Sequence, residues 1–249
     1  MKFRFLGAAA LAAFALAGCG GDKSNSSGNL AAVANESGNV ALPQIAAPNN
    51  GDWTTVVEET AENGYRMGNP DAPVKLVEYA SITCHVCAEF SETGHNELVN
   101  EFVKSGQVSW EYRFYPIFPT DPGLFMLLRC QGPGPFFGLS EQLYATQREW
   151  VERAGPAQAT IQGLPLDQQP AAWVRATQLD QFFRQRGLPQ GRIDQCLASQ
   201  EELQRLAASK DRGDREGVTG TPSFFINGER VQVTAWSALK PLLRQAIGQ

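Results

Sequence analysis

The chain has 249 residues, 43% of them hydrophobic and 19% charged, which is enough to bury a sizeable core and excludes disorder along its whole length. Its formal charge is −5, from 21 basic and 26 acidic residues, and no stripe of Lys or Arg stands outside the first few positions. That balance argues against a nucleic-acid partner.

The N-terminus has the layout of an export signal: Lys2 and Arg4 precede an apolar run from Phe5 to Ala17 that is too short to cross a bilayer. The run closes on Leu16-Ala17-Gly18-Cys19, which resembles the lipobox of bacterial lipoproteins, small residues before a cysteine that is lipidated. Residues 1–18 are therefore expected to be a lipoprotein signal peptide and Cys19 the lipidation site. The alternative is an ordinary secreted protein with a cysteine beside its cleavage site. Residues 19–60, rich in Gly, Ser, Asn and Ala over most of their length, are expected to form a flexible tether. The expected location is the periplasmic side of a bacterial cell envelope, held to a membrane by the lipid, with inner or outer membrane left open.

Val74 to Tyr79 reads as a buried strand, entered through the turn formers Gly68-Asn69-Pro70-Asp71-Ala72-Pro73. Cys84-His85-Val86-Cys87 follows, and then Phe90, Leu98, Phe102 and Val103 at helical spacing, with a stop at Gly106. Cys84 then stands at a helix N-terminus, where unpaired N–H groups and the macrodipole stabilise an anion. A thiolate held there has a pKa of roughly 3.5–7.5 instead of about 8.5. Cys84 is accordingly the expected nucleophile and Cys87, one turn further in, the resolving thiol. A static disulfide or half of a zinc site are the alternatives for an isolated C-x-x-C. Zinc needs about four ligands, and His85, His95, Cys130 and Cys196 supply no second close pair, so no metal and no cofactor is expected.

Val108, Trp110, Tyr112 and Phe114 alternate with more polar residues as a third strand. About 100 residues with helical patches at 124–130, 136–151, 171–186 and 193–210 follow, too many for a loop. Their aromatics Phe125, Phe136, Phe137, Tyr144, Trp173, Phe182 and Phe183 read individually as core. In an oxidising compartment Cys130 and Cys196 are expected to pair as a structural disulfide, with two buried free thiols as the alternative. Ser223 to Ile226, the hairpin signal Asn227-Gly228, a return strand and an amphipathic helix over 235–247 close the chain.

The stretch from Gly68 through Glu78-Tyr79-Ala80-Ser81 to Cys84-His85-Val86-Cys87-Ala88, together with Gly217-Val218-Thr219-Gly220-Thr221-Pro222-Ser223-Phe224-Phe225, resembles the DsbA-like group of thioredoxin-fold thiol-disulfide oxidoreductases. The resemblance implies an α/β thioredoxin fold over 61–118 and 214–249 with a helical domain, 119–213, inserted into it, offering an apolar wall to unfolded substrates. It implies a cis bond at Pro222 facing the cysteines, with the Thr221 backbone free to pair with an extended substrate. It also implies a buried carboxylate at Glu78 exchanging protons with Cys87. His85-Val86 departs from the Pro-His of many relatives. A charged His85 would favour the Cys84 thiolate, and a merely solvated histidine is the other reading.

The expected activity is disulfide exchange with unfolded or partly folded exported proteins, as a DsbA-like oxidase reset by a membrane redox partner. A reductase or isomerase is the first alternative and a cysteine-based metal-binding chaperone the second.

Overall fold

The computed structural model describes residues 41–249. The expected signal peptide, Cys19 and the first part of the tether lie outside the described residues. Among those described, six strands form one sheet in the order β1-β2-β4-β3-β5-β6. Its middle is β3 (Val74–Ala80), parallel to β4 (Val108–Phe114) and antiparallel to β5 (Ser223–Ile226). Val74, Leu76, Glu78 and Ala80 alternate onto the face that carries the main core, while Tyr79 packs on the opposite face with Tyr115, Val218 and Phe225. β6 (Glu229–Val231) folds back on β5 through Asn227-Gly228, both at positive φ, as a two-residue hairpin requires.

α1 (His85–Glu97) joins β3 to β4 and runs on through a π-helical turn, Leu98–Val103, where the Lys104 N–H donates to the Val99 carbonyl at 2.9 Å. The chain turns away at Gly106, φ 77°, as the sequence leads one to expect. There a Cβ would stand 2.6 Å from the Trp53 ring nitrogen. α10 (Trp236–Ile247) packs its Trp236 against Phe90 and Phe102 on the α1 side of the sheet.

The expected tether is too long by about twenty residues. Leu42 and Trp53 are buried, the Trp53 indole donates to the Ile45 carbonyl at 2.8 Å, and the Ile45 N–H donates to the Ser105 carbonyl at 2.7 Å. β1 (Val57–Glu59) and β2 (Tyr65–Met67) then extend the sheet beyond β4. A few large side chains anchor this segment in spite of its small-residue composition.

Between β4 and β5 lie α2 (Asp121–Cys130), α3 (Phe136–Ala145), α4 (Gln147–Ala154), α5 (Gln158–Gln162), α6 (Gln169–Ala176), α7 (Leu179–Arg184), α8 (Gln190–Leu197) and α9 (Gln200–Arg215). Three of the expected helical patches are each broken into two. The breaks fall at Thr146, at Gln178 with φ 61°, and at Ser199, whose hydroxyl caps α9 by accepting from the Glu202 N–H. These helices share one apolar core with the sheet: the Phe136 ring lies 4.3 Å from Tyr65 and 5.2 Å from Tyr112, and Phe125 lies 4.3 Å from Phe114. The architecture is thus α/β, a thioredoxin-type β-α-β and β-β-α sheet with helices inserted between its halves.

Candidate active site

Cys84 is the N-cap of α1, in extended conformation, and Cys87 lies one turn along it. Both are free thiols and both are buried. Cys84 Sγ donates to the Thr221 carbonyl at 3.2 Å across 137 residues of sequence, and the Thr221–Pro222 bond is cis. The Thr221 hydroxyl is buried without a hydrogen-bond partner. It is the group placed to donate once the sulfur carries charge and can no longer donate itself.

The two sulfurs are pulled in opposite directions. Cys84 is held down at about 6, first by its hydrogen bond from the Cys87 thiol, then against its own burial by Thr221 and by the backbone N–H groups of Cys87 and Val86 at the head of the helix. Cys87 is pushed well up, chiefly by burial and further by the charges of Cys84 and Glu78. The arrangement makes one thiol an anion near neutral pH and keeps the other protonated.

Glu78 is 2% exposed on the core face of β3 and accepts from Trp110 Nε1 at 3.1 Å. Burial pushes its carboxyl up to about 8; the Trp110 bond works against that, and charge on Cys84 adds to it. The carboxyl is therefore protonated at neutral pH and able to give a proton to a nearby sulfur anion.

His85 is exposed and makes no hydrogen bond or ion pair among the described residues. It lines a cleft of about 470 Å³ with Glu89, Glu92, Glu141, Gln147 and Arg148. That flank of the site is polar, so the expected apolar wall is not there: Phe125, Phe136, Phe137, Tyr144, Trp173 and Phe183 are all buried, drawn inward by the core shared with the sheet. Ile117 and Phe118, whose N–H groups bond Asp121, are exposed apolar side chains. Cys130 and Cys196 join α2 to α8 as a disulfide with Cα atoms 6.0 Å apart. Among the described residues, no group of three or more His, Cys, Asp or Glu side chains could hold a metal ion.

Sequence reasoning missed Asp121, Tyr144 and Gln147, which all bond the turn before Cys84. Asp121 accepts from the Ser81 and Thr83 hydroxyls at 2.8–2.9 Å, Tyr144 donates to the Ser81 carbonyl at 3.2 Å, and Gln147 donates to the Ile82 and Cys84 carbonyls at 2.7 and 2.9 Å. The one legible signal was Asp121-Pro122 as a helix start.

A family model described as "Thioredoxin" matches residues 60–245. Among solved structures, a protein-disulfide isomerase from Novosphingobium aromaticivorans superposes with a TM-score of 0.71 at 25% identity, over 78% of this chain and 100% of that one. The α-DsbA1 of Wolbachia pipientis shares the fold with a TM-score of 0.61 at 18% identity, over 75% of this chain and 92% of that one. In sequence, a Bacillus anthracis protein named as a probable disulfide bond formation protein D is 23% identical over 65% of this chain. The chain spans about two thirds of the length of the curated relatives it matches, 69% of that protein and 65% of a Rickettsia bellii protein named for protein-disulfide oxidoreductase activity. The sheet and its cysteine pair define a thioredoxin-fold redox protein. Within that class, the chain belongs to the thioredoxin family whose model it matches, and its fold is DsbA-like.

Proposed function

We propose that this protein is an exported, lipid-anchored disulfide oxidase that gives its Cys84–Cys87 disulfide to unfolded or partly folded proteins in the periplasm. The carrying observation is the geometry of the pair, with Cys84 capping the N-terminus of α1 beside Thr221 and Cys87 fully buried one turn further in, which holds the first thiol down and pushes the second well up. Stabilising the Cys84 thiolate stabilises the reduced form and so makes the disulfide a stronger oxidant.

In the proposed cycle a substrate thiolate attacks Cys84 Sγ and the Cys84–Cys87 bond breaks. The departing Cys87 thiolate takes a proton from the Glu78 carboxyl, which burial keeps protonated at neutral pH. A second substrate thiolate then attacks the substrate sulfur of the mixed disulfide, and Cys84 leaves as a stable anion. The substrate gains a disulfide and gives up two electrons, now held as the reduced pair. A membrane redox partner takes them and restores the disulfide. Thr221 and the cis Pro222 loop beside Cys84 support a role in pairing with the extended substrate backbone.

The anchor rests on the leader and on Cys19. An isomerase is the second reading, favoured by the name of the Novosphingobium neighbour. The deciding measurement is the reduction potential of the pair against glutathione. An oxidase is expected nearer about −120 mV, whereas a value near about −180 mV would favour an isomerase and one near about −270 mV a reductase.

A further inference from the structure

Ser81, Ile82, Thr83 and Cys84 belong to no helix or strand, and all four are buried. Buried peptide groups outside regular structure need partners: the Cys84 N–H donates to the Ser81 carbonyl and the Ala88 N–H to the Cys84 carbonyl, each at 3.1 Å, and the inserted helices supply the others. The single side-chain nitrogen of Gln147, on α4, reaches the carbonyls of both Ile82 and Cys84. Its amide carries two protons, so one group serves both carbonyls, at Cys84 in addition to the bond from the Ala88 N–H. Asp121, on α2, accepts from the Ser81 hydroxyl on both carboxylate oxygens at 2.9 Å, from the Thr83 hydroxyl on one of them, and from the Ile117 and Phe118 N–H groups on the other at 2.8 and 2.9 Å. Ser81 Oγ also accepts from the Thr83 N–H at 3.1 Å, which closes the turn on itself.

We propose that Gln147 and Asp121 are positioning residues for the nucleophile: they clamp the Ser81–Cys84 turn from the helical insertion and so aim Cys84 Sγ at the head of α1 and at Thr221. The clamp rests on the reading of Cys84 as nucleophile and deepens it. Thiolate stabilisation by N–H groups and by Thr221 depends on direction and falls steeply when alignment is lost. Cys84 has no covalent restraint holding it there in the reduced state, and the backbone bonds of the turn that delivers it, Cys84 N–H to Ser81 and Ala88 N–H to Cys84, leave the Ile82 carbonyl to Gln147. Gln147 also lines the cleft beside His85, so without its amide, water reaches the two carbonyls and the turn gains freedom.

The test uses the full exported chain with Gln147→Met, which keeps bulk and removes both donors, and Thr83→Val, which removes one hydroxyl from Asp121. The pH midpoint of Cys84 alkylation and the redox equilibrium with glutathione are measured beside thermal melting. In either folded variant the midpoint is expected to rise by about one unit, and the equilibrium to move about tenfold toward the disulfide. Should Gln147→Met fail to fold, Thr83→Val carries the test alone. Wild-type midpoint and equilibrium in every folded variant, whatever the loss in melting temperature, would overturn the clamp and leave the oxidase reading standing. An ordinary thiol midpoint in the wild type would overturn both.

Discussion

Glu78 on β3 and Trp110 on β4 are joined by a 3.1 Å hydrogen bond inside the core, beneath the cysteine pair. A carboxyl so placed titrates near 8 in the folded chain and near 4.5 when exposed. Between those values the folded state binds the extra proton, so stability is fully present at low pH and is lost as pH rises through about 8. The loss has a limiting slope of about 1.4 kcal/mol per pH unit from this group alone. Glu78→Gln removes the titration, and urea melts from pH 5 to 8.5 are expected to show the variant gaining on the wild type as pH rises. Parallel stability curves would show that Glu78 is not the buried acid.

The same substitution bears on the chemistry. Without a carboxyl to protonate the departing Cys87 thiolate, stopped-flow oxidation of a dithiol peptide at pH 7 is expected to slow by about 10²-fold, in the usual range for loss of a general acid. The Cys84 midpoint itself should move little, since burial and the Cys87 and Thr221 bonds dominate it.

Thr221→Val removes the hydroxyl that is placed to donate to the Cys84 thiolate while preserving side-chain bulk and the Thr221 carbonyl. One charge-assisted hydrogen bond is worth about one pKa unit or slightly more. The variant is expected to raise the alkylation midpoint by about that much and to make the pair correspondingly less oxidising. His85→Ala should do less, because His85 is exposed and bonds nothing among the described residues.

Cys130 and Cys196 close a loop with a sequence separation of 66 and join α2 to α8. Constraining the unfolded chain in this way stabilises by about 4 kcal/mol on the loop-entropy account. Replacing both with Ala should lower urea stability by roughly that amount. The redox equilibrium of Cys84 and Cys87 should stay near wild type, because the two pairs occupy separate helices.

Gly94 gives a prediction of sign. Gly to Ala inside a helix ordinarily stabilises by about 1 kcal/mol, but a Cβ at Gly94 would stand 2.9 Å from the Trp236 side chain. Overpacking of that kind costs about 1–3 kcal/mol, so Gly94→Ala is expected to lower the melting temperature by several degrees. A rise would mean that α10 can shift without penalty.

The sequence made the chemistry legible before the architecture around it. Strong local signals marked β3, the C-x-x-C at a helix start, the Gly106 stop, the Asn227-Gly228 hairpin and the final helix, each depending on neighbours close in sequence. β1 and β2 escaped because three-residue strands show no period. The folding of residues 41–60 escaped because Leu42 and Trp53 are few among small residues, though each buries much area. Asp121 and Gln147 escaped for a different reason: their partners are hydroxyls and carbonyls 38 to 65 positions away, and nothing local distinguishes a Gln that holds a distant turn from one that faces solvent.

The most direct measurement is the absorbance of the Cys84 thiolate at 240 nm, titrated from pH 3 to 10 in a Cys87→Ala protein and checked by alkylation rates in the wild type. The midpoint is expected near 6 in the wild type and somewhat higher in the variant, because the Cys87 hydrogen bond is the largest contribution to the lowering. A wild-type midpoint at about 8.5 or above, that of an ordinary cysteine, would mean that no sulfur anion is held at the head of α1, and the oxidase reading would fall with it.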